Sequence, residues 1–167
     1  MSNQWIQGDV FLISIDNTQV GLGQIVDVLP SELYVVIYEN AWNASSPPCP
    51  QDVVGLEPLF AALTLDAKLY HGDWKIIGNV TNNLVDIKRP LSKVRISNET
   101  YIESHDGSWS RCATPDEAEQ LTFRKTVAPV RLEKALRAYY GLLEKHPAYD
   151  ELRYDLVVDS TSLNRKK

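Results

Sequence analysis

The chain has 167 residues, 44% of them hydrophobic, enough to bury one self-sufficient core. Its formal charge of −5 has the wrong sign for a general nucleic-acid or phosphate binder, which needs clustered Lys and Arg. Without the one basic cluster, Arg165-Lys166-Lys167, 14 basic residues face 22 acidic ones, a body charge of −8 that serves solubility and would attract a basic partner.

Two cysteines do not make a secreted disulfide framework, so Cys49 and Cys112 are expected reduced. The start Met1-Ser2-Asn3-Gln4-Trp5 lacks a basic region followed by an apolar one, and no apolar run approaches membrane length. The expectation is a cytoplasmic protein with no membrane contact.

In chain order, Val10–Ile15 lies between Gly8-Asp9 and Asp16-Asn17 and reads as a strand bounded by turns. Gln24–Leu29 is the next strand, with Gly21 and Gly23 ahead of it as a bulge. Leu33–Tyr38, rich in β-branched and aromatic residues, completes an antiparallel meander that twist would curl strongly. Asn40 to Pro58 contains Ser45-Ser46-Pro47-Pro48-Cys49-Pro50 and reads as a long surface loop. Long loops are often functional, making Glu39, Trp42 and Asp52 candidates for a partner; the alternative is a variable insertion with Trp42 tucked onto the body.

Leu59–Leu65 reads as a strand, although so short an apolar run also fits a helical turn. Gly72-Asp73-Trp74-Lys75-Ile76-Ile77-Gly78-Asn79 reads as a short buried strand between glycine turns, with Asp73-Trp74 at the turn and Ile76 or Ile77 inward. Trp74 fits either core, with its N–H satisfied, or contact, and core is preferred. Val94–Ser97 and Tyr101–Ser104 pair, and Asp106-Gly107 is a hairpin signal returning Trp109–Cys112 onto Tyr101–Ser104.

Thr114-Pro115-Asp116-Glu117 opens a helix ending near Leu121. A second helix opens at Pro129, with Leu132, Leu136, Tyr139 and Leu143 as one apolar stripe, Glu133 and Arg137 exposed, and Gly141 as a stop after which Leu142-Leu143 pack. His146-Pro147 closes the helix in any case, 150–158 is ambiguous, and the chain after Asp159 is expected to be a flexible tail. The expected architecture is one α+β domain over 1–160, β-rich over 5–112 and helical over 114–145, with a flexible basic tail over 161–167. It is a mainly antiparallel, strongly curved sheet or a small SH3-like barrel, with a C-terminal helix packed on it.

The residues carry no catalytic signature. Gly21-Leu22-Gly23 runs into a strand where a dinucleotide fingerprint needs a helix. His71, His105 and His146 lie in turns without a second ligand at metal spacing, and a zinc site would need Cys49, Cys112 and His71 to converge. Asp9, Asp66, Asp73 and Asp106 sit at strand ends or turns, where backbone chemistry already favours Asp. Asp155 and Asp159 around Leu156-Val157-Val158 resemble a nuclease's acidic strand only in part, because the following lysine is missing. No cofactor and no metal are expected.

Gly8-Asp9-Val10-Phe11, Gly21-Leu22-Gly23-Gln24-Ile25 and Gly72–Asn79 together resemble the immunity protein 26 family, proteins found beside polymorphic toxins in bacteria. The resemblance covers the first half of the chain. It implies a cytoplasmic inhibitor that neutralises a cognate toxin by binding, without catalysis. An acidic inhibitor suits a basic toxin, and Glu39, Trp42, Asp73, Asp106 and Trp109 are the contacts expected to supply aromatic anchors and steering charge. Two other classes stay open: a small β-barrel module for a peptide or nucleic acid, and an enzyme whose site is assembled from distant turns.

Overall fold

Alternating apolar residues in the first half of the chain become the inward faces of one sheet. In the computed structural model, which describes residues 4–163, β1 (Asp9–Ser14), β2 (Gln19–Val28) and β3 (Leu33–Asn43) form the expected antiparallel meander. β4 (Pro58–Thr64) pairs with β3, and β5 (Lys75–Asn79) with the free side of β1. A second sheet follows from β6 (Ser92–Ile96), β7 (Glu99–Glu103) and β8 (Ser110–Cys112), after which β9 (Thr126–Val127) adds to β4 in parallel. The helices are α1 (Ala67–Tyr70), α2 (Pro115–Gln120), α3 (Pro129–Tyr139), α4 (Pro147–Asp150) and α5 (Ser160–Leu163). The described residues group into two compact units, one of 4–86 with 126–156 and one of 87–125 with 157–163.

In the larger unit the strand order is β5-β1-β2-β3-β4-β9. Phe11, Ile13, Leu33, Val35, Ile37, Phe60 and Ala62 share one core with Trp74 and with Leu132, Ala135 and Leu136 of α3. The period of two in the strands and of three to four in the helix are the spacings that put these side chains on facing surfaces. The intervening Val10, Tyr34, Val36 and Tyr38 are buried as well, so β3 is covered on both sides. On that second side Gln24 Nε2 donates to the Val80 carbonyl (2.7 Å), and Tyr38 Oη and Asn83 Nδ2 both donate to Gln24 Oε1 (2.7 and 2.8 Å). Burial pushes the Tyr38 phenol well above its ordinary value, so it stays a neutral donor there.

The sheet is open, and the closed SH3-like barrel held as one alternative does not form among the described residues. Closure needs two edge strands in matched antiparallel or parallel register. Here one edge strand, β9, has two residues, and the other, β5, does not pair with it. The α+β class and the helix packed on the sheet hold.

The three glycine-fenced motifs lie on adjacent strands. Phe11 of β1 stands opposite Gly23 of β2 and Ile76 of β5, and its ring stacks on Trp74 at 4.7 Å and 7°. A Cβ at Gly23 would lie 2.3 Å from that ring, and one at Gly78 would lie 2.4 Å from Pro50. These glycines provide room for packing; Gly21-Leu22-Gly23 lies inside β2, and the bulge expected there falls on the partner strand, where Tyr38–Asn40 of β3 stand opposite Leu22. Trp74 is core, 1% exposed, but its indole N–H finds no acceptor among the described residues, which departs from the satisfied N–H expected of it.

Several boundaries move. β3 runs on to Asn43, because its second half pairs with Gln19–Gly21 at the start of a long β2; the loop therefore starts later and contains a 3₁₀ turn over Pro50–Val53. Asp52 accepts from the Cys49 backbone N–H (2.9 Å) and caps that turn. Glu133, expected exposed, is buried because Lys68 of α1 (2.9 Å) and Arg137 (3.4 Å) pair with its carboxylate. Gly141, at φ 78°, stops α3 as expected, but Leu142 and Leu143 stay exposed. His146-Pro147 opens α4, with His146 Nδ1 accepting from Ala148 N–H (3.0 Å).

The smaller unit packs Leu91, Ile102, Leu121 and Leu163 behind its three-stranded sheet. β6 and β7 join through Ser97-Asn98, both at positive φ (48° and 69°), the two-residue geometry that matches strand twist. The expected Asp106-Gly107 hairpin does connect β7 to β8, but as a longer loop in which only Gly107 has positive φ. Thr114 and Glu117 cap α2 reciprocally, and Arg111 grips Glu117 with two bonds (3.0 and 2.7 Å). Ser160–Leu163, expected as tail, is helical because Asp159 accepts from Ser162 N–H (2.8 Å) and Leu163 enters the core. Arg165-Lys166-Lys167 lie outside the described residues.

Candidate partner-binding surfaces

Glu39 stands where β3 leaves regular pairing: Gly21 faces Ala41 and Gly23 faces Ile37, so Tyr38–Asn40 bulge opposite Leu22. A bulge re-aims side chains and frees backbone groups. Here Tyr140 Oη donates to the Glu39 carbonyl and Tyr139 Oη to Glu39 Oε1 (2.6 Å), which ties the end of α3 to the bulge. The Tyr139 phenol is pushed up to about 12, chiefly because its O–H donates to the Glu39 carboxylate, which holds the phenol in its protonated form. The Tyr140 phenol is raised by burial and by the same carboxylate. The arrangement orients the exposed Glu39 side chain through Oε1 and leaves Oε2 without a hydrogen bond among the described residues.

Trp42 is half-buried on β3 opposite Val20, so it sits on the sheet and not in the loop after it. Asp73 is exposed beyond Gly72, 3.9 Å from Lys68 Nζ. These three belong to the larger unit; Asp106 and Trp109 belong to the smaller one. Asp106 Oδ1 accepts from Ser104 Oγ (3.1 Å) and Ser108 N–H (3.0 Å). Those bonds, led by those from Ser108, lower its carboxyl to about 2 and make it a loop-former that also carries charge. Trp109 is 45% exposed.

The other expected acids are occupied by structure. Asp9 is buried and accepts from Asn79 Nδ2 (3.0 Å), and Asp66 accepts the Trp5 indole N–H (3.1 Å). Residues 154–156 form a 3₁₀ turn with Asp155 paired to Arg153, so the acidic strand does not exist. Cys49 and Cys112 are both free thiols, and among the described residues no three His, Cys, Asp or Glu side chains converge as a metal site. No helix among the described residues is long and apolar enough to cross a membrane.

A feature not anticipated from sequence is a groove of about 550 Å³ in the larger unit. Leu59 and Phe60 of β4, Ala135, Ala138 and Tyr139 of α3, and Tyr149 and Tyr154 wall it with apolar and aromatic surface. Glu57, Asp150 and Asp155 line it with Lys145, His146 and Arg153. Tyr139 joins this groove to Glu39. The available signal was Tyr139-Tyr140-Gly141-Leu142-Leu143, large apolar residues running through a helix stop.

Comparison with curated proteins and with solved structures returns no match. The family model for Immunity protein 26 matches residues 6–100, more than half of the chain. That span holds all three glycine-fenced motifs and the strand neighbours β5-β1-β2 that they pack together. The chain belongs to the immunity protein 26 family.

Proposed function

We propose that this protein neutralises a cognate bacterial toxin domain in the cytoplasm by binding it, without catalysis of its own. The observation that carries the reading is the family match over 6–100. The charge supports a basic toxin: at −5 overall, the protein steers a cationic partner towards it and repels nucleic acid. The apolar residues of the three motifs are consumed in packing around Phe11 and Trp74, so the contacts are sought on residues that reach the surface, Asp73 of the third motif among them. Glu39, Trp42, Asp73, Asp106 and Trp109 remain the proposed contacts, with Trp109 as the exposed aromatic anchor and Glu39 as the oriented anion.

The test is co-expression with a candidate toxin domain taken from the neighbouring reading frames. Survival of the host and co-purification of the two chains are expected, with binding that weakens as salt rises. Alanine at all five positions should abolish protection while the fold persists. Full protection by that folded variant removes the five residues from the interface, and absence of protection by the parent chain removes the toxin-binding reading itself.

A further inference from the structure

We infer that the groove between β4, α3 and α4 is a docking surface for a basic segment of the partner, one that inserts an apolar side chain between flanking Lys or Arg residues. The inference rests on the toxin-binding reading above and adds to its proposed contacts a second surface, joined to Glu39 through Tyr139. Its volume, about 550 Å³, falls within the roughly 300–1,000 Å³ of sites that enclose a ligand. The walls are Phe60, Ala138, Tyr139 and Tyr149, a hydrophobic floor with aromatic sides. Between the lining residues Tyr139 and Lys145 in the chain, Leu142 is 48% and Leu143 41% exposed, whereas Leu132 and Leu136 of α3 are fully buried. Apolar surface left in water and rimmed by polar residues, as in this groove, is a mark of a contact surface.

Charge selects the occupant. Three carboxylates, Glu57, Asp150 and Asp155, line the groove with Lys145, Arg153 and His146, and a fourth, Glu39, is joined to it through Tyr139. Arg153 is already paired with Asp155, and Glu57 and Asp150 make no ion pair among the described residues. A segment bearing Lys or Arg on either side of an apolar anchor meets this rim with opposite sign. A second copy of this chain, itself at −5, meets it with like charge.

The experiment follows amide NMR shifts of the isotope-labelled full chain during titration with two blocked tripeptides, Lys-Trp-Lys and Glu-Trp-Glu. Lys-Trp-Lys is expected to shift Phe60, Ala138 and Tyr149, and Glu-Trp-Glu to leave them in place. The double variant L142K/D150K, changed only at exposed positions, should unfold at the parent's temperature and bind Lys-Trp-Lys about tenfold more weakly. Should it fold poorly, D150N alone is expected to weaken binding by about threefold. Shifts confined to other residues, an equal response to both peptides, or movement of the same amides with protein concentration alone each overturn the inference, the last in favour of self-association.

Co-expression with the candidate toxin domain separates the two readings. Loss of protection in L142K/D150K supports the groove as the toxin's site. Retained protection in that variant overturns the groove and leaves toxin binding intact. If the parent chain gives no protection, the toxin-binding reading falls, and the peptide titration decides the groove by itself.

Discussion

Gly23→Ala tests the claim that the family's glycine motif exists to seat Phe11 against Trp74. The added methyl would lie 2.3 and 2.4 Å from two ring carbons of Phe11 and 2.9 Å from Ile37 Cδ1. Carbon atoms rest at about 3.5–4.0 Å, so the ring must retreat by about 1 Å or more, which disturbs its stack on Trp74. Overpacking of a closed core costs about 1–3 kcal/mol. Loss of the offset stack adds about 0.5–1.5 kcal/mol, and the stiffer unfolded chain returns about 0.5–1 kcal/mol. The net expectation is a destabilisation of about 2 kcal/mol, a fall in melting temperature of roughly 4–8 °C. Urea unfolding read by tryptophan fluorescence measures it as a lower midpoint at unchanged slope. In an F11L background, where the ring is gone, the same substitution should cost less than about 0.5 kcal/mol. A G23A cost that is the same in both backgrounds refutes the steric account, and a negligible cost in the parent refutes the assignment of the motif to packing.

The remaining expectations concern the hydrogen-bonded and turn features. In alkaline difference titration of the parent against Y139F, the Tyr139 phenol should ionise near about 12, and E39Q should bring it down towards the ordinary 10; an unchanged value would separate Tyr139 from Glu39. Because the folded phenol is raised, this contact stabilises fully below the unfolded value of 10 and is lost as pH climbs towards 12. Glu117 has the opposite sign: the Arg111 guanidinium, followed by the Thr114 backbone N–H, lowers its carboxyl from 4.5 to about 2. Its contribution is present above 4.5 and disappears as pH falls towards 2. Solvent screening at the surface limits it to about 0.5–1 kcal/mol, read as a shallower acid destabilisation in E117Q. S97N/N98G, which places the preferred pair at two positive-φ positions, should stabilise the β6–β7 hairpin by about 0.5–1 kcal/mol in amide exchange.

What could be read in advance was what short-range chemistry controls. The strands from Val10, Gln24 and Leu33 follow from β-branched runs between turn residues, and they appear in meander order. The capped start at Thr114 and the stop at Gly141 are equally local, each set by one or two bonds near its own position. Local signals misled where two readings shared them. Asp106-Gly107 has the stronger two-residue turn composition, yet the register of β6 on β7 assigns the tight turn to Ser97-Asn98. Trp42 looked like a loop residue until the length of β2 drew Asn40–Asn43 into the sheet.

The candidate surface divides in the same way. Sequence by itself determined the acidic charge, the family motifs and the apolar alternation, because these are properties of composition and of neighbours along the chain. Only the tertiary structure decided that the motifs close around Phe11, that Glu133 is buried by Lys68, and that Tyr139 meets Glu39 a hundred residues away. Only it opened a groove between β4 and α3, since a concave surface is made by the distance between elements and no residue carries that distance in its own chemistry.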